Sequence, residues 1–409
     1  MATVCLLGTL DTKGHEYAFL RDRVMAHGAD VLLIDAGILG EPLTPPDISA
    51  NEVAIAAGST REALAVGHDR GAAITAMAAG ATKIVSDLAA SGRIHGVIGI
   101  GGSGGSTLAT QAMRALPVGF PKLMVSTIAS GQTAPYVGAV DVTMMHSVVD
   151  IAGLNRVSTR ILDNAAAAIA GMANAFATAE VTAHDAPLIA ASMFGVTTPS
   201  VTTAREWLEE RGSEVLVFHA TGTGGQSMEA LVAGGFISGV IDITTTELAD
   251  ELVGGVFSAG PERLEIAGKL GVPQVVSLGA LDMVNFDAME TVPPQFQKRN
   301  LYVHNATVTL MRTTPEECAE LARRIATKLN AAVGPTALFI PRKGISAIAV
   351  EGGPFFDPAA DAALFDTLLA NLEPNVEVHD LDLDINDPAF AIAMASRLTK
   401  LIKTKGTQA

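Results

Sequence analysis

Short apolar runs alternate with longer segments of helical periodicity along the first half of the chain. Each apolar run has the length of a buried strand, and the segments between them keep apolar residues on one helical face. This alternation predicts a parallel, doubly wound α/β sheet with right-handed crossovers. The predicted strands span 3–8, 30–35, 95–100, 122–126 and 139–144, and an alanine-rich helix over 155–178 follows them.

A second series of the same kind begins after a polar segment, residues 180–187, which ends in proline and is the predicted linker. Its predicted strands span 188–193, 214–219, 239–243, 274–278, 337–340, 347–350 and 376–379, with helices at about 203–211, 262–270, 315–332, 359–369 and 388–403. A chain of 409 residues is long enough for two such cores. We therefore expect two Rossmann-like α/β domains with mainly parallel sheets and flanking helices, an N-terminal nucleotide-binding domain over 1–182 and a C-terminal domain over 188–409.

A glycine-rich segment follows the third predicted strand and precedes a helix predicted over 107–115, with Ser106 or Thr107 as its cap. Backbone N–H groups at such a junction lack intrachain partners, and the helix dipole favours an anion there. The segment is neither GxxxxGK[ST] nor GxGxxG, and it is closer to the Gly-Gly-x-Gly turn of phosphofructokinase-like and NAD-kinase-like folds. It predicts a phosphate site, although a turn that only lets helix and sheet pack stays open; its residues are Gly101, Gly102, Ser103, Gly104, Gly105, Ser106 and Thr107.

A second segment of similar composition, with Gly222, Gly224 and Gly225, follows the strand predicted at 214–219. Two strand–glycine–helix units suggest that each domain has its own crevice, and they raise the hypothesis of an internal duplication.

Polar residues at the predicted strand ends of the first domain complete the candidate nucleotide site. Lys13 is expected to approach a phosphate, Asp11 to hold Mg²⁺ or its waters, and Asp35 to accept ribose hydroxyls. The structural alternatives are a solvated first-turn lysine, a helix cap and a turn former. The other expected contacts are Gly8, Thr9, Thr12, Ser126 and Thr127.

The strand ends of the second domain are also rich in polar groups. If they line up as in other open sheets, Asp242, Glu247, His304 and Arg342 converge on the glycine segment at 222–225 and form a second ligand site. At least one of these groups would then have a shifted pKa. The alternative is that they are scattered caps and turn formers. No HExxH, nucleophile-elbow or Cys/His pattern organises them, so the catalytic residues, if any, are not identified, and no resident metal site is predicted.

Charge and hydropathy exclude several classes of protein. The 27 Lys and Arg residues against 43 Asp and Glu give a net charge of −16, which argues against nucleic acid as a partner. No apolar run reaches the ~18–20 residues of a membrane span, and the first residues lack the basic region of a signal peptide. We therefore expect a cytoplasmic protein without membrane contact.

Four motifs in this order resemble the ATP-binding N-terminal region of the tomato mosaic virus resistance protein (Tm-one-like) family and its bacterial relatives. They are residues 8–13, the glycine segment at 99–106, Ala152-Gly153-Leu154-Asn155 with its alanine-rich helix, and residues 220–229. The resemblance implies two α/β domains, an ATP site in the first and a homodimer. It implies a ligand rather than a reaction.

Three hypotheses follow. The first is an ATP-binding protein, bound with Mg²⁺, that acts as an enzyme on a small metabolite in the interdomain cleft. The second is a non-catalytic nucleotide-binding module that regulates or docks on a partner protein. The third is a Rossmann-type dehydrogenase or a sugar-phosphate enzyme, which the glycine spacing disfavours.

Overall fold

The computed structural model describes residues 1–66, 70–179 and 186–408, without the side chains of 70 and 405–408. Most of the predicted linker at 180–187 lies outside these residues. The contacts divide the chain into two units, 1–182 and 183–409, and each is described by itself.

The first unit is a five-stranded parallel sheet between two layers of helices. Its strands are β1 (Thr3–Gly8), β2 (Asp30–Asp35), β3 (Gly96–Gly101), β4 (Lys122–Ser126) and β5 (Thr143–His146), in the order β2-β1-β3-β4-β5. Its helices are α1 (Leu10–Ala26), α2 (Ala50–Ala56), α3 (Arg61–Val66), α4 (Arg70–Ala90), α5 (Ser103–Arg114), α6 (Ala134–Val137) and α7 (Arg156–Thr178). One core lies under α1 and α7, and the other lies under α2, α4 and α5.

The strand order of this sheet reverses between β1 and β3, and a tyrosine side chain lies between these two strands. They pair directly only from Val4 to Leu6. Beyond that point the Tyr17 hydroxyl donates to the carbonyl of Leu7 at 2.6 Å and accepts the N–H of Ile100 at 2.9 Å. A Cβ on Gly8 would lie 2.0 Å from the Tyr17 oxygen, so residue 8 must be glycine for the tyrosine to fit. The carboxyl ends of β1 and β3 are therefore held apart.

The second unit contains a six-stranded parallel sheet and a small antiparallel one. The parallel strands are β6 (Leu188–Met193), β7 (Glu214–His219), β8 (Gly239–Thr244), β9 (Gln274–Gly279), β13 (Thr336–Pro341) and β14 (Val376–Leu381), and the antiparallel strands are β10 (Met283–Phe286), β11 (Leu301–Asn305) and β12 (Val308–Arg312). The helices are α8 (Thr198–Glu209), α9 (Thr223–Ala233), α10 (Glu247–Val253), α11 (Ile266–Lys269), α12 (Pro315–Asn330), α13 (Pro358–Asn371) and α14 (Pro388–Gln408). The predicted class of two mainly parallel α/β sheets with flanking helices is confirmed.

The two parallel sheets share a strand order. From the β7 edge, the sheet of the second unit runs β7-β6-β8-β9-β13-β14. Counted along the chain within each sheet, both have the order 2-1-3-4-5, and the second unit adds a sixth strand beside the fifth. The glycine segments do not follow this repeat. The first comes after the third strand of its unit, beside the reversal point, whereas the second comes after β7 at the edge of its sheet.

Two predicted elements of the second unit are wrong, and the antiparallel sheet was not predicted. Residues 347–350 form a turn, because the Ser346 hydroxyl accepts the N–H groups of Ile348 and Ala349 at 3.2 and 3.1 Å. The helix predicted at 262–270 is reduced to α11. The Glu229 carboxylate binds the N–H groups of Leu264 and Ile266, and Leu264 has a left-handed φ of 73°.

We expect Tyr17→Phe to destabilise the first unit by about 1–3 kcal/mol, because a buried N–H and a buried carbonyl lose their shared partner. Urea denaturation measures the loss, and hydrogen exchange in peptides that cover β3 assigns it to this unit. Tyr136→Phe is the matched control, since Tyr136 lies in the same unit and no hydrogen bond of its hydroxyl is seen among the described residues. Equal stability of the two variants would contradict the role of the Tyr17 hydroxyl.

Candidate functional site

A crevice of about 280 Å³ opens where β1 and β3 separate. Ligands of open parallel sheets bind at this place, beyond the carboxyl ends of the strands at the reversal of strand order. Its lining residues divide by side-chain character into two groups, which we call the polar half and the apolar half of the lining. The polar half is lined by Thr9, Asp11, Thr12, Lys13, Gly101, Gly102, Ser103, Gly104, Gly105 and Asp150, and the apolar half by Ala36, Ile38, Leu39, Ala73, Ile74, Met77, Ile100 and Leu108.

The N-terminus of α5 forms one wall of the polar half. The helix begins at Ser103 with Gly102 as its cap residue, so the predicted start at Ser106 or Thr107 is wrong. The Ser106 N–H already donates to the Gly102 carbonyl at 2.9 Å, and the Thr107 hydroxyl donates to the Ser103 carbonyl at 3.0 Å. The glycine-rich segment is therefore the first turn of the helix, and its leading N–H groups have no intrahelical acceptor.

Two glycines of this turn are not required by the fold. Gly102 has a φ of −84°, and Gly104 does not have a left-handed φ. A Cβ would meet its nearest neighbours at 3.6 Å on Gly102 and 3.5 Å on Gly104, which is ordinary van der Waals contact. Gly101 differs, because its Cβ would lie 3.1 Å from the Cα of Gly105. The bare backbone at 102 and 104 leaves space at the helix N-terminus that no described residue fills.

Asp11 and Lys13 lie opposite this turn, at the start of α1. One Asp11 carboxylate oxygen, Oδ2, accepts the N–H groups of Leu39 and Gly40 at 2.7 and 3.3 Å. The other, Oδ1, is buried and has no hydrogen-bond partner among the described residues. The Lys13 ammonium donates to the carbonyl of Ile151, and Lys13 itself has non-helical angles of φ −126° and ψ 15°. A buried carboxylate oxygen without a donor is a position where a cation or a hydrogen-bond donor is expected.

Asp35 does not line the crevice, and the ribose-binding role predicted for it is wrong. Its side chain is 2% exposed, and Oδ1 accepts the N–H groups of Leu10 at 2.9 Å and Gly37 at 2.8 Å. Burial raises the pKa of this carboxyl. Asp35 therefore fixes the loops that follow β1 and β2 instead of contacting a ligand.

Five other predicted contact residues also serve the fold. Ser106 and Ser126 are fully buried and hydrogen-bond to each other through their hydroxyls at 2.6 Å. The Thr127 N–H donates to the Gly101 carbonyl at 3.3 Å, which fixes the glycine segment to the end of β4. Gly8 makes room for Tyr17, and Thr107 bonds within its own helix. The structure brings to the crevice Thr9, Asp11, Thr12, Lys13 and residues 101–105.

The apolar lining was not predicted. Ala73, Ile74 and Met77 lie on the alanine-rich α4, and Ile38 and Leu39 lie on the loop after β2. Helical periodicity marks an apolar face on α4, but it cannot tell a face that packs on the sheet from one that lines a crevice.

The strand order of the second sheet reverses between β6 and β8. A buried arginine, Arg263, forms ion pairs with acidic residues at this place. The guanidinium of Arg263 donates to both oxygens of Asp242 and, through Nε at 2.7 Å, to Glu247. Arg263 is 1% exposed. Burial alone would lower its pKa, but the Asp242 and Glu247 carboxylates raise it well above the ordinary value. Arg263 was not predicted as a site residue; it lies in the part of the helix predicted at 262–270 that is irregular in the structure.

The second glycine segment already holds an anionic group, and that group belongs to the chain. Glu247 Oε1 accepts the N–H of Gly222 at 2.8 Å and the N–H of Gly225 at 3.0 Å. A Cβ on Gly225 would lie 2.2 Å from Glu247 Oε2, and a Cβ on Gly224 would lie 1.8 Å from the His219 carbonyl oxygen. The ligand site predicted at 222–225 is therefore filled by a side chain.

Of the four residues expected to converge on this segment, Glu247 contacts it, Asp242 is linked to Glu247 through Arg263, and His304 and Arg342 have other surroundings. Arg342 forms a bidentate ion pair with Asp380 at 2.6 Å, and this hydrogen bonding raises its pKa. It follows β13, which three strands of the sheet separate from β7. His304 is exposed on β11, in the antiparallel sheet.

Two kinds of feature are absent from the described ranges. No group of three or more His, Cys, Asp or Glu side chains in these ranges is arranged to hold a metal ion. No helix within them combines the length and the apolar character that crossing a bilayer requires.

These features define a doubly wound α/β protein of two units, in which the first reversal point carries a crevice and the second is filled by ion pairs. The chain belongs to the uncharacterised protein family UPF0261: the family model for its N-terminal domain matches residues 2–178, and that for its C-terminal domain matches residues 186–402.

Relatives of the chain support this membership. A UPF0261 protein of Clostridium tetani is 53% identical over 401 residues, which covers 98% of this chain and 99% of that protein. ToMV resistance protein Tm-1(GCR237) of Solanum lycopersicum is 45% identical over 337 residues, which covers 81% of this chain and 45% of the tomato protein. The predicted relationship to the tomato protein and bacterial relatives is thereby confirmed. An S. aureus MnaA–UDP co-structure aligns over 100% of this chain and 98% of that one at 9% identity, but its TM-score of 0.24 is too low to support an argument.

We expect Arg263→Leu to lower the free energy of unfolding of the second unit by about 3–5 kcal/mol, because Asp242 and Glu247 would stay buried without their cation. Chemical denaturation measures the change. Arg323→Leu is the control, since Arg323 pairs with Glu320 at the surface and its loss should leave stability nearly unchanged. Similar stabilities of the two variants would contradict the importance of the buried ion pairs.

Proposed function

We propose that the first unit binds ATP, together with Mg²⁺, in the crevice between β1 and β3. The observation that carries the proposal is the first turn of α5. Neither the backbone conformation nor the packing of the chain requires glycine at positions 102 and 104, and both residues line the crevice. N–H groups at a helix N-terminus, together with the positive end of the dipole, bind phosphate oxygens. The polyphosphate is therefore assigned to this wall.

Asp11 and Lys13 supply the charges that a Mg²⁺–triphosphate needs. Mg²⁺ in nucleotide sites is held by one or two carboxylates together with phosphate oxygens and water. The buried Oδ1 of Asp11 lacks a partner among the described residues, and Asp150 is a second carboxylate in the lining. Lys13 is the one cation among the described lining residues, and it would neutralise phosphate charge against the net charge of −16.

The proposal is one of binding, and it fits either an enzyme that uses ATP on a small metabolite or a nucleotide-dependent regulatory module. Turnover of ATP in the presence of a metabolite extract separates the two. From the family resemblance we also propose a homodimer, which sedimentation tests. From the hydropathy of the sequence we propose a cytoplasmic location, which cell fractionation tests.

We expect Gly104→Val to weaken ATP binding by more than tenfold, because its side chain would hold phosphate oxygens away from the helix N–H groups. Isothermal titration calorimetry measures the affinity. Gly171→Val is the control, since Gly171 is exposed on α7, lacks a left-handed φ and has nothing within 4 Å of its Cβ position. Undiminished ATP affinity in a folded Gly104→Val protein would refute the proposal.

We expect Asp11→Asn to remove most of the gain in ATP affinity that Mg²⁺ provides, because the amide keeps the hydrogen bonds to the loop but loses the charge that attracts the cation. Titrations with Mg²⁺ and with EDTA measure this gain. Asp22→Asn, on the exposed side of the same helix, is the control. A full Mg²⁺ effect in Asp11→Asn would place the cation elsewhere.

A further inference from the structure

The apolar half of the crevice offers a base nothing but hydrocarbon and sulfur. No described side chain in it carries a strong hydrogen-bond donor or acceptor; these side chains are Ala36, Ile38, Leu39, Ala73, Ile74, Met77, Ile100 and Leu108. The Cδ1 atom of Ile74 lies 3.5 Å from the Cβ position of Gly104, so the apolar half adjoins the glycine turn directly. A nucleoside attached to phosphates on that turn is therefore within reach of the Ile74 side chain.

Backbone donors near this half are already engaged by the chain. In the loop after β2, the Ala36 N–H donates to the Gly8 carbonyl at 2.8 Å and the Gly37 N–H donates to Asp35. Leu39 and Gly40 donate theirs to Asp11. From Ile74 onward, the backbone N–H groups of α4 have acceptors one turn earlier in the helix. The N–H groups of Ala36, Gly37, Leu39 and Gly40 are therefore not free to donate to N1 of adenine or O6 of guanine.

The ribose also lacks its usual partner. In dinucleotide folds an acid after the second strand binds ribose hydroxyls. Here the residue at that place is Asp35, whose Oδ1 is committed to Leu10 and Gly37 and whose side chain is buried. No described residue of the crevice replaces it with a second acid at the end of β2.

We infer that this crevice recognises nucleoside triphosphates by their polyphosphate and by apolar contact with the base, without distinguishing adenine from guanine or ribose from deoxyribose. The inference rests on the proposed function and specifies its ligand class. Large discrimination between analogues requires polar groups of the site that the wrong analogue leaves unpaired, whereas apolar contact discriminates weakly. The ligand class is accordingly purine nucleoside and deoxynucleoside triphosphates.

The test is calorimetric titration of the full chain with Mg²⁺ and, separately, ATP, GTP, dATP and inorganic tripolyphosphate. We expect the three nucleotides to bind within about fivefold of one another and more tightly than tripolyphosphate. A preference for ATP of thirtyfold or more over GTP or dATP would overturn the inference and leave the proposed function intact. Absence of binding by all three nucleotides would overturn both.

A pair of variants on α4 tests the assignment of the base to the apolar half. We expect Ile74→Ala to weaken ATP, GTP and dATP by a similar factor, about threefold to tenfold, and to leave tripolyphosphate binding unchanged. Ile84→Ala on the same helix is the control, because Ile84 packs against the core and does not line the crevice. A loss that falls on one nucleotide alone, or equally on tripolyphosphate, would contradict the inference.

Discussion

The crevice of the first unit depends on one hydroxyl group. Neighbouring parallel strands would ordinarily pair to their ends, but here the Tyr17 oxygen lies between the Leu7 carbonyl and the Ile100 N–H. The two strands separate just before Gly8 and Gly101, so the loops that follow them diverge around an open space. Without the hydroxyl, either β1 and β3 would approach each other or Leu7 and Ile100 would be left unpaired in the core. The position of the crevice is thus fixed from inside the sheet, by a residue that does not line it.

The second unit has the same order in its first five strands, but a buried ion-pair cluster lies at the reversal point. Arg263 lies there among Asp242, Glu247 and Glu229. Burying three carboxylates around one guanidinium is costly unless their remaining oxygens find donors. Glu247 obtains them from the N–H groups of Gly222 and Gly225, and Asp242 from the Ser192 hydroxyl. Glu229 obtains them from the backbone of Leu264 and Ile266. One topology therefore supports a cavity in one unit and a polar core in the other, and the choice is made by side chains rather than by strand order.

The local hydrophobic pattern predicts the strands of both sheets. It does not predict which side chains hydrogen-bond to residues distant in sequence. Residues 3–8, 30–35, 122–126, 188–193 and 214–219 were predicted as strands and have these bounds in the structure, because buried parallel strands are continuous apolar runs. Lys13, Asp11 and the glycine turn were predicted to lie together because strand ends share one edge of a sheet, and they line one crevice. Asp35 and Ser106 were assigned to the ligand because their partners, Leu10 and Ser126, lie 20 or more residues away in sequence. Arg263 carried no local signal, since neither periodicity nor a motif marks a single arginine in an irregular segment.

The two glycine segments show how far such a motif can be interpreted. Both follow a strand, and both open a helix. At Gly225 the anion is the Glu247 carboxylate, and the glycine is required because a Cβ would lie 2.2 Å from it. At Gly104 the space beyond the backbone stays open, with the nearest atom 3.5 Å from the Cβ position. At the second segment, two backbone N–H groups thus donate to a carboxylate of the chain itself. No acidic side chain among the described residues takes the equivalent place on α5, and this difference separates two segments that the sequence pattern alone makes look alike.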